Sequence, residues 1–253
     1  MADTLDWSII GPALAAGLIV LSTHVPLGQE VLKRGIIFID LAIAQVAGLG
    51  VIAAYALEWD PEGIQVQVAA VTAALIAALG LHWTEKRWPA IQEPIIGVLF
   101  ILAATGGILL LAGNPHGSEH LKELLIGQIL WQTWPSLVPI GLLYAVVLAA
   151  WFVLRPRSGA LTFYLAFAIV VTASVQIVGI YLVFASLIIP ALATVGLKRG
   201  NRLVAGYLVG GVSYLLGILL SVMFDLPTGA VIVWSMAALA LLIGLFISDK
   251  QPN

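Results

Sequence analysis

A single charged residue lies inside the apolar runs of this sequence. Asp40 falls in GIIFIDLAIAQVAGLG (35–50), five residues into a predicted membrane span. Charged side chains are rare in membrane spans, face the protein interior and often mark an ion path. Gln45 lies one helical turn plus one residue deeper in the same run. Asp40 and Gln45 are therefore candidate groups for lining an ion path inside the membrane. An interfacial cap or a helix–helix hydrogen bond is the structural alternative for Asp40.

The sequence HGSEH (116–120) is the most metal-like local pattern. In a helix, His116, Glu119 and His120 would share one face, because they are spaced i, i+3 and i+4. Imidazole and carboxylate groups together suit zinc or manganese. The pattern predicts a metal reception site. The alternative is a solvated helix start that is capped by Asn114 or Ser118.

Several neutral polar residues lie in or near the apolar runs and are candidates for lining a path: Gln128, Gln132, Thr172, Ser174, Gln176 and Ser186. Ser and Thr often bond to their own helix, so each is weak evidence alone. The sequence contains no P-loop, G-x-S-x-G or dinucleotide fingerprint. It therefore predicts a protein that is not an enzyme and binds no cofactor itself, and any ATP-driven step would need another polypeptide.

The composition is that of an integral membrane protein. The chain has 253 residues, of which 61% are hydrophobic and 9% charged. Such a chain predicts an all-α, polytopic helical bundle, with residues 1–253 as one transmembrane domain. The absence of cysteine excludes disulfides and thiolate metal ligands, and no basic cluster indicates nucleic-acid binding. The start of the chain, 1–7, has no Lys or Arg, so the first apolar run is expected to be a retained span.

Nine candidate spans follow from the hydrophobic runs: 8–27, 36–57, 64–82, 95–112, 136–154, 160–178, 180–197, 203–222 and 228–247. Ten of the eleven Lys and Arg residues fall in alternate gaps between these spans, and only Lys122 falls on the other side. The positive-inside rule then places the N-terminus outside and the C-terminus inside.

Two stretches need a more particular interpretation. The stretch 159–197 is too long for one crossing, and we divide it near Gln176–Gly179. Pro190 then lies in its second half, where it either breaks the helix beside a cavity or only shapes packing. The stretch 121–134 is too short and too polar to span, and it predicts an external interfacial helix. A re-entrant segment packed in the bundle is the alternative.

Three stretches carry a resemblance to a known family: RGIIFIDLAIAQVAGLG (34–50), EPIIGVLFILAATGGILLL (93–111) continuing into HGSEHLKELLIGQILW (116–131), and VTASVQIVGIYLVFASLIIPALAT (171–194). They resemble the membrane permeases of bacterial ATP-binding-cassette importers for zinc and manganese. The third is the most specific, and together the likeness covers most of the chain.

The resemblance implies a homodimeric, multi-pass permease of the bacterial inner membrane. It would take metal from an extracytoplasmic binding protein and be driven by a cytoplasmic ATPase. The sequence departs from the family in two places. Gln45 stands where many members have His, and the gap 155–159 (RPRSG) replaces a longer cytoplasmic segment that engages the ATPase. Coupling would then use 83–94 or 198–202, or be weakened. A secondary transporter or channel that works without an ATPase is the alternative function.

Overall fold

The described part of the protein is helical. In a computed structural model, the backbone is described for residues 6–57, 59, 63–111, 122 and 124–248, and the side chains for the same residues except 154–158, 199 and 244–248. These residues form α-helices, short 3-10 helices and turns, without a strand. The α-helices are α1 (Trp7–Arg34), α2 (Ile39–Ala56), α3 (Ile64–Arg87), α4 (Gln92–Leu111), α5 (Trp134–Ala193), α6 (Arg199–Phe224) and α7 (Thr228–Ser248). The predicted all-α membrane fold is confirmed.

The helices fall where the apolar runs predict them. Seven described helical stretches are long and apolar enough to cross a membrane, and Thr228–Ile243 is a shorter apolar one. The stretches include two parts of α5, Trp134–Val153 and the 35-residue Gly159–Ala193. The count of nine crossings and the positions of the termini stay predictions.

Helix α5 is interrupted by left-handed glycines. It has 60 residues, which as a straight helix would measure about 90 Å, or roughly three hydrocarbon thicknesses. Gly159 and Gly179 have φ values of +54° and +79°, outside the right-handed helical region. The predicted spans 136–154, 160–178 and 180–197 meet at these two glycines. The division near Gln176–Gly179 therefore coincides with a real break in the helical backbone.

The prediction of a continuous interfacial helix over 121–134 is wrong. Lys122 and residues 124–126 are helical, but Gly127 has φ +73° and Ile129–Trp131 form a 3-10 turn. The helix stops because the left-handed glycine and the following Gln128, with φ −132°, cannot continue it. α5 then begins with Thr133 as its cap, whose hydroxyl accepts a hydrogen bond from the Ser136 N–H at 3.4 Å.

The chain forms two compact units by internal contact, and each draws on distant parts of the sequence. One unit comprises residues 1–34, 126–144 and 177–253. In it, α1 packs on α6, and the Gly17 Cα lies against the ring of the buried Tyr214. A Cβ at Gly28 would collide with the backbone of Leu187, so glycine lets α1 and α5 approach closely.

The other unit comprises residues 35–125 and 145–176. In it α2 packs against both α3 and α4. Between α2 and α3 the buried side chains of Val51, Ala54, Val66 and Ala70 form a small core. A Cβ at Gly50 would lie 2.9 Å from the Ala69 carbonyl oxygen, so this pair too depends on a small residue. These contacts hold α2, the helix that carries Asp40.

Candidate functional site

Asp40 lies in the first turn of α2 and is fully buried. Its side chain is 0% exposed, and neither carboxylate oxygen has a hydrogen-bond partner among the described residues. A buried anion without a partner is costly, and proteins normally balance it with a proton, a counter-charge or a metal. The N-terminus of a helix offers a partial positive charge, which offsets only part of this cost. Asp40 therefore needs a proton, a counter-charge or a cation to balance its charge, and its role in an ion path stays a prediction.

Glu93 reaches the same turn of α2 from the start of α4. One carboxylate oxygen accepts a hydrogen bond from the Phe38 N–H at 3.2 Å, and Phe38 is the residue before α2. The other Glu93 oxygen is buried without a partner in the described structure. Sequence reasoning did not single out Glu93. The available signal was its place at the start of a span, in EPIIG (93–97).

The other predicted path residues of this unit have more ordinary surroundings. Gln45 is half-buried on α2. The buried Thr172 and Ser174 hydroxyls each donate to a carbonyl one turn earlier in α5, on Ala168 and Val170, at 2.7 Å. Bonds of this kind satisfy a buried hydroxyl without a ligand. Gln176 is half-buried. The path role of these four residues stays a prediction.

Gln128, another path candidate, takes part in a close backbone contact in the other unit. Its side chain is exposed, and its N–H donates to the Ile177 carbonyl at 3.3 Å. A Cβ on Gly127 would collide with the Val178 and Gly179 backbone, and a Cβ on Gly179 with Ile126 and Gly127. Because both left-handed residues are glycines, the backbone of the segment 126–128 can pack directly against the backbone of α5 at its break near Gly179. This packing favours the alternative of a packed segment over an interfacial helix.

The predicted reception residues His116, Glu119 and His120 lie outside the described residues. Within the described part of the chain, no group of three or more His, Cys, Asp or Glu residues could hold a metal. His24 is fully buried in α1, where its Nδ1 lies 2.8 Å from the Val20 carbonyl oxygen, while its Nε2 has no partner among described residues.

A buried polar network that the sequence did not reveal fixes the turn between α3 and α4. Gln92 is 4% exposed; its amide nitrogen donates to the Leu81 carbonyl at 2.9 Å and to the Tyr164 hydroxyl at 3.3 Å. The Thr84 hydroxyl donates to its amide oxygen at 2.9 Å. Gln92 directly precedes Glu93, so this network also fixes the backbone that presents the Glu93 carboxylate.

Comparisons with known proteins agree with this architecture. Over 269 aligned residues the chain is 29% identical to the manganese transport system membrane protein MntC of Halalkalibacterium halodurans, covering 98% of this chain and 90% of that protein. It is 23% identical to the high-affinity zinc uptake system membrane protein ZnuB of Haemophilus influenzae, covering 90% and 93%.

Two solved structures share the fold. PsaBC from Streptococcus pneumoniae in complex with Fab superposes with a TM-score of 0.72 at 21% identity, covering 92% of this chain and 90% of that chain. An inward-facing conformation of a putative metal-chelate type ABC transporter gives 0.66 at 17% identity, covering 93% and 85%. The model of the ABC 3 transport family matches residues 6–163 and 153–247, nearly the whole sequence. The chain therefore belongs to the ABC 3 transport family.

Proposed function

We propose that this protein is the transmembrane permease subunit of an ATP-binding-cassette importer for a divalent metal ion, zinc or manganese. The observation that carries the proposal is Asp40, a carboxylate that is wholly buried in an apolar helix and has no described partner. The names of the relatives support it, since MntC and ZnuB are membrane proteins of a manganese and a zinc system. A divalent metal ion would supply the positive charge that this buried carboxylate lacks.

The proposed mechanism is alternating access. An extracytoplasmic binding protein delivers the ion, and two copies of this chain form the translocation unit in the bacterial inner membrane. ATP binding and hydrolysis on a separate cytoplasmic subunit then bias the permease between outward-open and inward-open states. Asp40, Gln45, Gln128, Thr172, Ser174 and Gln176 are the proposed path residues, and His116, Glu119 and His120 the proposed reception site.

The turn between α3 and α4 is the proposed contact for the ATPase. Residues 86–91 are all exposed, and they include the basic residues Lys86 and Arg87 on the predicted cytoplasmic side. Gln92 joins this turn to α3 and α5 through three hydrogen bonds, two of them buried. Because the turn is exposed and its end is fixed by these hydrogen bonds, a movement of a bound ATPase would be passed on to α3 and α4. This turn could therefore replace the short segment 155–159 as the contact that couples the ATPase to the permease.

Purification of the tagged protein from its native membrane in mild detergent tests the proposal. Native mass spectrometry of the preparation is expected to find a complex whose mass includes an ATP-binding-cassette ATPase and two copies of the permease. A preparation that repeatedly lacks any ATPase, even after crosslinking, would instead favour a transporter that works alone.

An uptake assay tests the path. In cells without other manganese and zinc importers, the complete transporter is expected to restore metal accumulation. Asp40→Asn keeps the size of the side chain and removes its charge, and it is expected to lower the uptake rate about tenfold or more. Uptake unchanged in this variant, at equal amounts of membrane protein, would contradict a role for Asp40 in the path.

A further inference from the structure

Pro26 leaves one backbone carbonyl of α1 without its partner inside the helix. A helical residue donates its N–H to the carbonyl four residues earlier, and proline has no N–H, so the Ser22 carbonyl loses this bond. The Tyr207 hydroxyl of α6 donates to the same carbonyl at 3.0 Å. Tyr207 is 39% exposed on a helix that is apolar enough to cross a membrane, and hydrocarbon offers no water to an unpaired carbonyl. A bond between helices therefore replaces the one that the proline removes.

A second proline, Pro190 of α5, lies at the same point of α6. A Cβ at Gly206 would lie 3.8 Å from the Pro190 carbonyl oxygen and 2.8 Å from the side chain of Val25, the residue before Pro26. The absence of a side chain at Gly206 thus lets both proline-containing helices approach α6 at one place.

Helix α5, like α1, is joined to α6 one turn before its proline. The Ser186 hydroxyl lies 2.9 Å from the Tyr214 hydroxyl of α6. At the prolines the two helices also contact each other, because a Cβ at Gly28 would lie 3.3 Å from the Ala191 side chain. The ends of α1 and α5 are therefore packed on each other, while the turns before the prolines are bonded to α6.

We infer that Pro26 and Pro190 form a paired hinge, at which the ends of α1 and α5 bend together away from α6 during transport. The Tyr207 hydroxyl is the latch that holds the unbent state. Bending at a proline breaks no helical hydrogen bond at that position, so the latch is the bond that has to open. This inference rests on the proposed function, because alternating access needs membrane helices that adopt two arrangements.

The latch is tested by a double-mutant cycle on the unfolding equilibrium of the purified permease. Pro26→Ala restores an N–H at residue 26, which donates to the Ser22 carbonyl within α1. Tyr207→Phe is expected to raise the unfolding equilibrium constant about threefold in the wild-type background and to leave it unchanged in Pro26→Ala. Equal rises in the two backgrounds would overturn the latch. Tyr181→Phe is the matched control and is expected to have no effect, because Tyr181 is an exposed tyrosine of α5 for which the described structure shows no hydrogen bond.

The hinge is tested by the distance between two spin labels in lipid nanodiscs. The chain has no cysteine, so labels attach only at cysteines introduced at two exposed positions, Lys33 of α1 and Leu203 of α6. Lys33 lies seven residues, or about 10 Å of helix, beyond Pro26, so a bend of about 20° moves it by about 4 Å.

Two label distances are expected, and the latch and the proline set their ratio. Tyr207→Phe is expected to raise the ratio of the longer to the shorter distance about threefold, because it removes a bond of the unbent state. Pro26→Ala is expected to lower the ratio about threefold or more, because bending then breaks a helical hydrogen bond. A single distance that neither substitution changes would overturn the hinge.

Metal uptake separates a hinge from a proline that only shapes packing. Pro26→Ala is expected to be at least as stable as wild type, yet to slow uptake about threefold or more. Pro12→Ala is the matched control and is expected to keep the wild-type rate, because Pro12 also lies inside α1 but about 21 Å of helix from Pro26. Wild-type uptake in Pro26→Ala, or equal slowing in Pro12→Ala, would overturn the inference.

The outcome is distinguishable from failure of the proposed function. Label distances that respond to Pro26→Ala and Tyr207→Phe as expected, in a protein that copurifies with no ATPase, would keep the hinge and refute the importer. ATP-driven uptake that is unaffected by Pro26→Ala would keep the importer and refute the hinge.

Discussion

Replacement of Gly179 by alanine tests the backbone joint between the break in α5 and the segment 126–128. Two separate costs arise. A non-glycine residue at φ +79° costs about 1–2 kcal/mol. The new Cβ would also collide with the backbone of Ile126 and Gly127, and relief of such overpacking costs about 1–3 kcal/mol. We therefore expect Gly179→Ala to lower the free energy of unfolding by about 2–5 kcal/mol.

Three other glycines separate the two costs. Gly159 has φ +54° and open space at its Cβ position, so Gly159→Ala is expected to show the backbone cost alone, about 1–2 kcal/mol. At Gly217, in α6, the Cβ would lie 2.6 Å from the Ile232 Cα, so Gly217→Ala shows the collision alone, about 1–3 kcal/mol. Gly80 in α3 has neither problem, and Gly80→Ala is expected to be neutral or to stabilise by up to about 1 kcal/mol.

The assay is unfolding of the purified protein in mixed detergent micelles with increasing dodecyl sulfate, followed by tryptophan fluorescence. Gly127→Ala is expected to resemble Gly179→Ala, because the two residues face each other across the same contact. In the double variant of Gly127→Ala and Gly179→Ala, the loss in free energy of unfolding should be smaller than the sum of the two single losses, because the first substitution already separates the two segments. A Gly179→Ala protein within about 0.5 kcal/mol of Gly80→Ala would refute the reasoning.

Three further predictions follow from the side-chain contacts and the outer histidines. Gln92→Ala is expected to lower the free energy of unfolding by about 1–3 kcal/mol in the same assay, because Gln92 makes three hydrogen bonds, two of them buried; a free energy of unfolding equal to that of the wild type would contradict this. Tyr214→Phe and Ser186→Ala are each expected to cost about 0.5–1.5 kcal/mol for their shared 2.9 Å hydrogen bond, and the double variant should cost less than the sum, whereas additive costs would argue against the bond. Alanine at the three predicted reception residues is expected to lower uptake at limiting metal, and unchanged uptake would refute a reception site: His116, Glu119 and His120.

The sequence predicted the helices well because the membrane constrains them strongly. Hydrocarbon thickness sets the length of an apolar run, so the ends of α2, α3 and α4 lie within a few residues of the predicted spans. The break near Gly179 was predictable for the same reason, since 159–197 is too long for one crossing. The interruption of the segment 121–134 at Gly127 was not predictable, because the apolar residues of this segment are compatible with a continuous helix. The left-handed conformation of Gly127 accompanies a tertiary contact with Val178 and Gly179, which no local pattern reveals.

The candidate site was predicted only in part. A carboxylate in an apolar run is visible in sequence, and Asp40 is indeed fully buried. Glu93 is separated from Phe38 by 55 residues, and its hydrogen bond to that residue is a tertiary contact that no local pattern reveals. The Thr172 and Ser174 hydroxyls both bond to their own helix. Polarity in the sequence does not distinguish such a hydroxyl from one that lines a path, so the path role of these two residues stays a prediction.

Accumulation of radioactive manganese in proteoliposomes tests the central claim most directly. The vesicles contain the complex purified from the native membrane. Its extracytoplasmic binding protein is added on the side of the permease's outer face, and ATP is supplied on the side of the ATPase. Accumulation is expected to require ATP and to fall about tenfold or more with Asp40→Asn. If vesicles that contain only the permease accumulate manganese to the same level with and without ATP, the importer function is contradicted and the protein is a transporter that works without an ATPase.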